Sequence, residues 1–382
     1  MRIGIDARFY GPKTGGGGLG RYVAELVSHL QELDHKNEYV LFLKKENFHE
    51  CKITNHRFSK RLVDVPWYTF KEQRLLPKHV ARAKVDFMHY PHWNVPVFSK
   101  TPFIVTVHDL ILLEDTKSAR SSTRNSFIHG FKYAGFRTVI ESAIHRSRHI
   151  ITVSEYTKKS VLHHFGVKEN KITVIANGVI PKQEARSVSL TALAVYQPYF
   201  LYVGNAYPHK NLEMMLHAFS EFHENHPHVQ MVIAGRRDVF SRQLEKEVNE
   251  IGLPIGSVRF IDLPSDEEIA ALYKNAALFI FPSRIEGFGI PPLEAMSYKT
   301  PVVAARTSSL PEVLQESAHF FEPDDIETLI GYMEVAASRD KSQESSWERK
   351  IDSGLNLAES YTWEKTAEEV LKVYNEMSLL DK

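Results

Sequence analysis

The 382 residues are 43% hydrophobic and 25% charged, with 22 Phe and the single cysteine Cys51; this ordinary globular composition excludes disordered, fibrous and disulfide-stapled classes and any multi-cysteine metal site. The 47 Lys+Arg balance the 47 Asp+Glu overall, but residues 1–180 carry 28 basic against 16 acidic side chains, a net of +12, which leaves −12 for residues 181–382. The opening Met1-Arg2-Ile3-Gly4-Ile5-Asp6 has no signal-peptide run and no stretch approaches the roughly 18 apolar residues of a membrane span, so a cytoplasmic chain with at most peripheral membrane contact is expected.

Short β-branched strands alternate with helical periodicities, the pattern of parallel βαβ units. The first predicted strand, Arg2–Ala7, leads into Gly15-Gly16-Gly17-Gly18-Leu19-Gly20-Arg21 and a helix predicted to begin near Tyr22. Amides of such a loop can approach a phosphate beside a helix N-terminus. Gly15, Gly17 and Gly20 formally spell GxGxxG, and Glu46 stands where a dehydrogenase keeps its ribose-binding acid, but the path from Phe9 to Gly15 is too long for the tight turn of a dinucleotide fold. A loop over the binding crevice, a dehydrogenase fingerprint and a plain connection are the three readings; the first best explains the backbone entropy that four successive glycines cost.

Strands Tyr39–Leu43, Phe87–Tyr90 and Phe103–Val107 follow, the last running into His108-Asp109. From Lys117 to His149 the chain holds Lys117, Arg120, Arg124, Lys132, Arg137, Arg146 and Arg148 against the single acid Glu141. That is either a surface for an anionic lipid or phosphorylated partner, or a solvated helix face. Strands His149–Val153 and Ile172–Ile175 complete a first domain over residues 1–180, and the polar, aperiodic Pro181–Gln197 reads as a linker.

A second series, Tyr199–Val203, Val229–Ala234, Val258–Ile261, Leu278–Phe281, Val302–Ala304 and Ala318–Phe321, builds a domain over residues 198–360. Leu212, Met215, Leu216 and Phe219 form one helical stripe, Ser265 and Glu268 a capping box, and Trp363–Met377 a final helix within 361–382. The segment from Phe281 to Met296 is the most informative. A strand ends at Pro282, a glycine-bearing turn follows, and Pro291 and Pro292 suit the first turn of a helix with Glu294 as its third or fourth residue. Gly287 and Gly289 allow close approach and the helix start favours an anion such as a diphosphate. Glu286 and Glu294 bracket that anion and cannot ligate it, so they accept hydrogen bonds from hydroxyl groups at its two ends. A diphosphate flanked by two polyols is a nucleotide sugar.

The segment resembles the E-x7-E signature of retaining glycosyltransferases of the GT-B fold, and specifically the family 4 group. The resemblance extends over Gly15–Arg21, Val107-His108-Asp109-Leu110, Val153-Ser154-Glu155-Tyr156, Ala176-Asn177-Gly178-Val179, Tyr202-Val203-Gly204-Asn205 with Pro208-His209-Lys210-Asn211, Ala234-Gly235-Arg236, the Glu286 segment and Tyr361-Thr362-Trp363-Glu364-Lys365. It implies an α/β architecture of two Rossmann-like doubly wound domains facing each other across a cleft, with the final helix crossing back to the first. It also implies His108, Glu286 and Lys210 as catalytic residues, and donor binding by Gly17, Gly18, Asn205, Lys210, Arg236, Gly287, Phe288, Gly289, Ile290 and Glu294. Lys210, just before a helix expected at Asn211, would share the diphosphate with helix amides, without a metal or other cofactor.

His108 would lie by the transferred sugar, its ring or its carbonyl facing the anomeric carbon, with Asp109 orienting that ring or capping the next turn. Asn205 departs from the family, where an Arg is frequent; Arg236 or Arg284 are the candidate replacements. The resemblance to bacterial mannosyltransferases of O-antigen and other surface polysaccharides makes mannose from GDP-mannose the lead donor, passed with retention to a glycan or lipid-linked acceptor. No nucleic acid partner is expected. Transfer from a UDP-sugar, a nucleotide-sugar epimerase, an NAD-dependent dehydrogenase and a catalytically silent sugar-binding module are the alternatives.

Overall fold

The computed structural model describes residues 1–11, 14, 17–115, 126–180, 188–338 and 341–377. Gly15, Gly16, Lys117, Arg120, Arg124, the Lys132 side chain and residues 181–187, all named above, lie outside the described residues. The chain divides into two compact units, one of Met1–Leu110, Arg120–Gly178 and Thr362–Lys382, the other of Ile111–Ala119 and Val179–Tyr361.

The first unit is built on strands β1 (Arg2–Asp6), β2 (Glu38–Leu43), β3 (Phe58–Leu62), β4 (Phe87–Tyr90), β5 (Phe103–Val107), β6 (His149–Thr152) and β7 (Ile172–Val174). They are parallel throughout and ordered β3-β2-β1-β4-β5-β6-β7. β4, β5 and β6 are buried at every residue, as parallel strands covered on both faces must be, which is why they read as continuous apolar runs. β3 is a strand the sequence pattern did not predict. Of Phe-Ser-Lys-Arg-Leu only Phe58 is buried, its ring stacked on Tyr39 at 4.2 Å, and the charged remainder suits a sheet edge.

The second unit holds β8 (Tyr199–Val203), β9 (Gln230–Gly235), β10 (Val258–Asp262), β11 (Leu278–Phe281), β12 (Val302–Ala305) and β13 (His319–Phe321), parallel, in the order β10-β9-β8-β11-β12-β13. In their own numbering the second sheet runs 3-2-1-4-5-6 and the first runs the same order with a seventh strand added, the doubly wound order whose crevice opens beyond the strand ends where the winding reverses. Those points are β1/β4 and β8/β11.

Helices cover the sheets with the faces their sequences dictate. In Leu212–Asn225 the stripe Leu212, Met215, Leu216 and Phe219 is at most 3% exposed. Ser265 Oγ accepts from the Glu268 amide at 3.2 Å while a Glu268 carboxylate oxygen accepts from the Ser265 amide at 2.7 Å. The helix after the glycine loop begins at Gly18, not near Tyr22. Residues 188–197, expected as linker, belong to the second unit: Leu190–Leu193 form a 3-10 turn, Val195 is buried, and the Tyr196 amide donates to Gln230 at 3.1 Å. The last helix, Trp363–Met377, lies in the first unit, where Thr366 Oγ1 donates to the Ala176 carbonyl at 2.8 Å and Tyr374 reaches His89 at 2.7 Å.

Candidate functional site

In the second unit the loops leaving β8 and β11 meet. Beyond β8 the Tyr202 hydroxyl donates to the Asn205 carbonyl at 2.8 Å, and Pro208–Lys210 form one 3-10 turn. Asn211, in the left-handed conformation at φ 58, is the cap and not the first residue of the following helix, which starts at Leu212. Beyond β11 the Arg284 amide donates to the His209 carbonyl at 2.8 Å and joins the two loops. The join brings Lys210 Nζ to 2.5 Å from Glu286 Oε1, with the two side chains only 13% and 10% exposed. An ammonium has three donors, so the pair leaves Lys210 able to reach a second anion.

Serines fix the turn that follows. The Glu286 amide donates to Ser308 Oγ at 2.9 Å, and Ser309 Oγ donates to the carbonyls of Glu286 and Phe288 at 3.0 and 3.2 Å. Gly289 caps the helix Ile290–Ser297 at φ +96, where a Cβ would stand 2.6 Å from Leu310 Cδ2; both the backbone and the space demand glycine. Pro291 and Pro292 do occupy the first turn, but they carry no N–H. An anion there would have to be met by main-chain amides outside the two prolines, and the phenyl ring of Phe288 is buried edge-on against Tyr361. Glu294 is the fifth helical residue, one place later than expected, half-buried, with an oxygen 3.0 Å from the Tyr273 hydroxyl that donates to it.

A cavity of about 300 Å³ opens at the carboxyl ends of β8, β9 and β10, lined by Gly204, Arg236, Arg237 and Asp262 among others. Its floor is tight, since a Cβ on Gly235 would come within 1.9 Å of the Gly204 carbonyl oxygen. Arg236 is exposed at this cavity, whereas Arg237 pairs with Glu245 at 2.7 Å and Arg284 grips Asp324, one of its bonds at 3.1 Å. Of the two candidate replacements for a family Arg at Asn205, Arg236 lines the cavity and Arg284 is committed elsewhere.

In the first unit, burial pushes the His108 imidazole down to about 4, so the ring is neutral at pH 7. Its Nε2 lies 3.0 Å from the Pro91 carbonyl and donates there; that carbonyl orients the ring. The His108 carbonyl, the other group considered for the sugar, accepts from Thr157 Oγ1 at 3.3 Å. Tyr22 packs edge-on to His108 at 4.6 Å. Behind it runs a chain of side chains, Tyr22 to Thr106 at 3.4 Å, Thr106 to His89 at 2.8 Å and His89 to Tyr374 at 2.7 Å, so the last helix backs the ring. Gly17 caps and Gly18 begins the helix Gly18–Leu33, with no side-chain cap on its first amides. Two residues near this site carried no motif in the sequence: His92, which follows β4 and interacts electrostatically with His108, and Tyr68, whose ring lies 6.4 Å from that of His92. Nothing local marks them, because only the strand order brings them together.

Among the described residues no three His, Cys, Asp or Glu side chains cluster as ligands, and no helix is long and apolar enough to cross a membrane.

Residues 16–183 match the family described as Glycosyltransferase Family 4, and residues 191–350 match Glycosyl transferases group 1. The chain is similar to O-antigen chain mannosyltransferase B of Escherichia coli, 25% identical over 94% of this chain and 95% of that protein. It is also similar to O-antigen chain mannosyltransferase RfbU of Salmonella typhimurium, 28% identical over 72% and 71% of the two chains. In fold it is similar to sucrose-phosphate synthase from Thermosynechococcus elongatus, with a TM-score of 0.76 and 19% identity over the whole of both chains. It likewise resembles WaaG, a glycosyltransferase involved in lipopolysaccharide biosynthesis, with a TM-score of 0.73 and 14% identity over 98% and 99%. These are GT-B structures, two parallel-sheet Rossmann-like domains.

Proposed function

Because the chain belongs to the group 1 and family 4 glycosyltransferases, we propose that it moves mannose from GDP-mannose, with retention of anomeric configuration, to a glycan or lipid-linked acceptor in cell-surface polysaccharide synthesis. The dehydrogenase, epimerase and silent-module readings give way to the transferase. The observation that carries the proposal is the Lys210–Glu286 pair at 2.5 Å beside the Gly289-capped helix, together with the mannosyltransferase names of the two relatives.

In this reading Lys210 keeps one hydrogen on Glu286 and turns the others to the diphosphate, which the Gly287–Ile290 amides also face. Glu286 then accepts from sugar hydroxyls and Glu294 from the ribose, with Asn205 and Arg236 at the nucleotide. For the first unit the family resemblance assigns Gly17 and Gly18 to donor binding and His108, with its neutral ring, to catalysis. The C–O bond to the leaving diphosphate breaks as the acceptor oxygen forms its bond on the same face, and the departing phosphate oxygen takes the acceptor's proton. Because the developing negative charge falls on Lys210 and main-chain amides, the reaction runs without a divalent ion. Turnover that survives EDTA supports that step, and activity lost in EDTA and restored by Mg²⁺ or Mn²⁺ contradicts it.

A cytoplasmic protein held peripherally on an anionic membrane completes the reading. Its support is the helix Phe70–Ala83, which exposes Phe70 at 85% and Leu75 at 39% among exposed Lys71, Arg74, Lys78 and Arg82, while its single acid, Glu72, is buried.

A thermal-shift screen with GDP-, UDP-, ADP- and TDP-sugars tests the donor. A ligand at 100 times its dissociation constant adds about 2.7 kcal/mol of apparent stability. Stabilisation by GDP-mannose above the others is expected; a UDP-sugar in first place overturns the donor and leaves the transferase.

A further inference from the structure

We infer that the exposed ring of Tyr68, backed by the buried Trp93 and by His92, is a stacking platform for a pyranose ring of the acceptor, an inference that rests on the transferase reading and gives its second substrate a place.

Among the described residues Tyr68 is the bulkiest with left-handed backbone, at φ 58, a conformation that is strained for a large side chain and that persists only where its surroundings enforce it. The enforcement is visible. Its amide donates to Glu72 Oε2 at 2.7 Å, and the next residue, Thr69, caps the helix Phe70–Ala83. Glu72 is completely buried and held on every side. Its Oε1 takes Arg8 Nη2 at 2.6 Å, and Asn94 Nδ2 donates to both its oxygens at 2.9 and 3.1 Å. Arg8, also fully buried, is in turn clamped on both oxygens of Asp6 at 2.8 and 2.7 Å. A buried network of two carboxylates and one guanidinium is a poor investment for stability alone, because apolar side chains of equal volume commonly do as well. Here its outermost hydrogen bond fixes the strained residue.

The network presents the ring to solvent: Tyr68 is 61% exposed. Trp93, buried at 8% exposure, lies 5.9 Å away at 45° and His92 6.4 Å away at 80°, which sets an aromatic corner behind the exposed ring. His92 is itself oriented, accepting from the Asn94 amide at 3.2 Å. The Tyr68 hydroxyl also feels the carboxylate of Asp109, the residue after His108. The corner therefore stands beyond β1, β4 and β5, at the point where the strand order of the first unit reverses. An aromatic face for the C–H side of a sugar, with a carboxylate nearby for its hydroxyls, is the mixture of apolar wall and few polar groups that small-ligand sites use.

The test needs no donor. Saturation-transfer NMR is recorded with a panel of methyl α-D-mannopyranoside, methyl α-D-galactopyranoside and methyl N-acetyl-β-D-glucosaminide, on the wild type, Tyr68→Phe, Tyr68→Ala and Tyr68→Gly. Transfer to the ring protons of at least one glycoside is expected, kept in Tyr68→Phe and reduced at least fivefold in Tyr68→Ala and Tyr68→Gly. Tyr68→Gly, which adopts a positive φ freely, is expected to melt no lower than the wild type, which separates the site from a folding role. Wild-type protein that binds no glycoside, or a Tyr68→Gly protein that binds as well as wild type, overturns the inference. GDP and UDP binding measured on the same samples reports the donor reading separately, so either can fail without the other.

Discussion

At the scale of single residues the Lys210–Glu286 contact matters most, because it makes the two groups one unit. Glu286→Gln keeps shape and removes charge, so transfer should be abolished while nucleotide binding stays near wild type; activity within a factor of two of wild type would remove Glu286 from its role. Lys210→Ala strands a carboxylate that is only 10% exposed, and loss of a charged hydrogen bond should cost about 1–3 kcal/mol of stability. The double variant should lose less than the sum of the singles, and strict additivity in urea titrations would mean the pair is not coupled. Glu294 differs. Its partner is the Tyr273 hydroxyl at 3.0 Å, so Glu294→Ala should weaken GDP binding by roughly 1.5–3 kcal/mol with turnover at saturating donor less affected. An unchanged affinity for GDP and for UDP assigns Glu294 to the tyrosine alone.

At the scale of elements, the helix Phe70–Ala83 carries the membrane prediction in place of the Lys117–Arg148 stretch, of which several residues lie outside the described structure. Within that stretch Arg146 is occupied by the carbonyls of Val97 and Ser99. Basic residues close to an anionic surface are worth about 1 kcal/mol each, so reversing Lys71, Arg74 and Lys78 to Glu together should cut partition onto phosphatidylglycerol vesicles by on the order of a hundredfold or more. The wild-type partition should weaken with salt. If the wild type ignores such vesicles at low salt, the helix face is merely solvated.

What the sequence made legible followed from how local each signal is. The strands of both sheets, the Ser265 capping box and the glycine-proline turn at residues 287–292 are written in neighbouring residues. β3 is not, because an edge strand carrying Ser59, Lys60 and Arg61 needs only Phe58 inside. Nor is the Lys210–Glu286 bond, whose partners are 76 residues apart and meet only because β8 and β11 are adjacent. Tyr68 lacked any motif; its meaning lies in a φ angle and a buried network that joins Asp6, Arg8, Glu72 and Asn94.

At the scale of the whole molecule, buried histidines tie stability to pH in both units. Burial lowers His89 and His92 to about 3 and His108 to about 4 in the first unit, and His209 and His319 to about 4 in the second. Each is neutral in the fold, while in the unfolded chain it titrates at its ordinary 6.5. Above that value neither state binds the proton and the stability is fully present. Below it the unfolded chain takes up protons that the fold refuses, and stability falls by about 1.4 kcal/mol per pH unit for each such proton. The loss continues until the native values near 4 and 3 are reached.

Glu72, whose carboxyl is raised chiefly by burial, acts with the opposite sign, because its fold accepts a proton more readily than the open chain does. It does so only as the carboxylate range is approached. Between pH 6.5 and 5 the histidines should dominate, so the urea midpoint should fall steadily over that window at constant m value. Trp347, its ring 4.3 Å from that of His319 and tilted 31° to it, is the only tryptophan of the second unit and reports it separately from Trp67, Trp93 and Trp363. Midpoints that stay level from pH 7.5 to 5 in both signals would show that the five imidazoles titrate as freely in the fold as outside it.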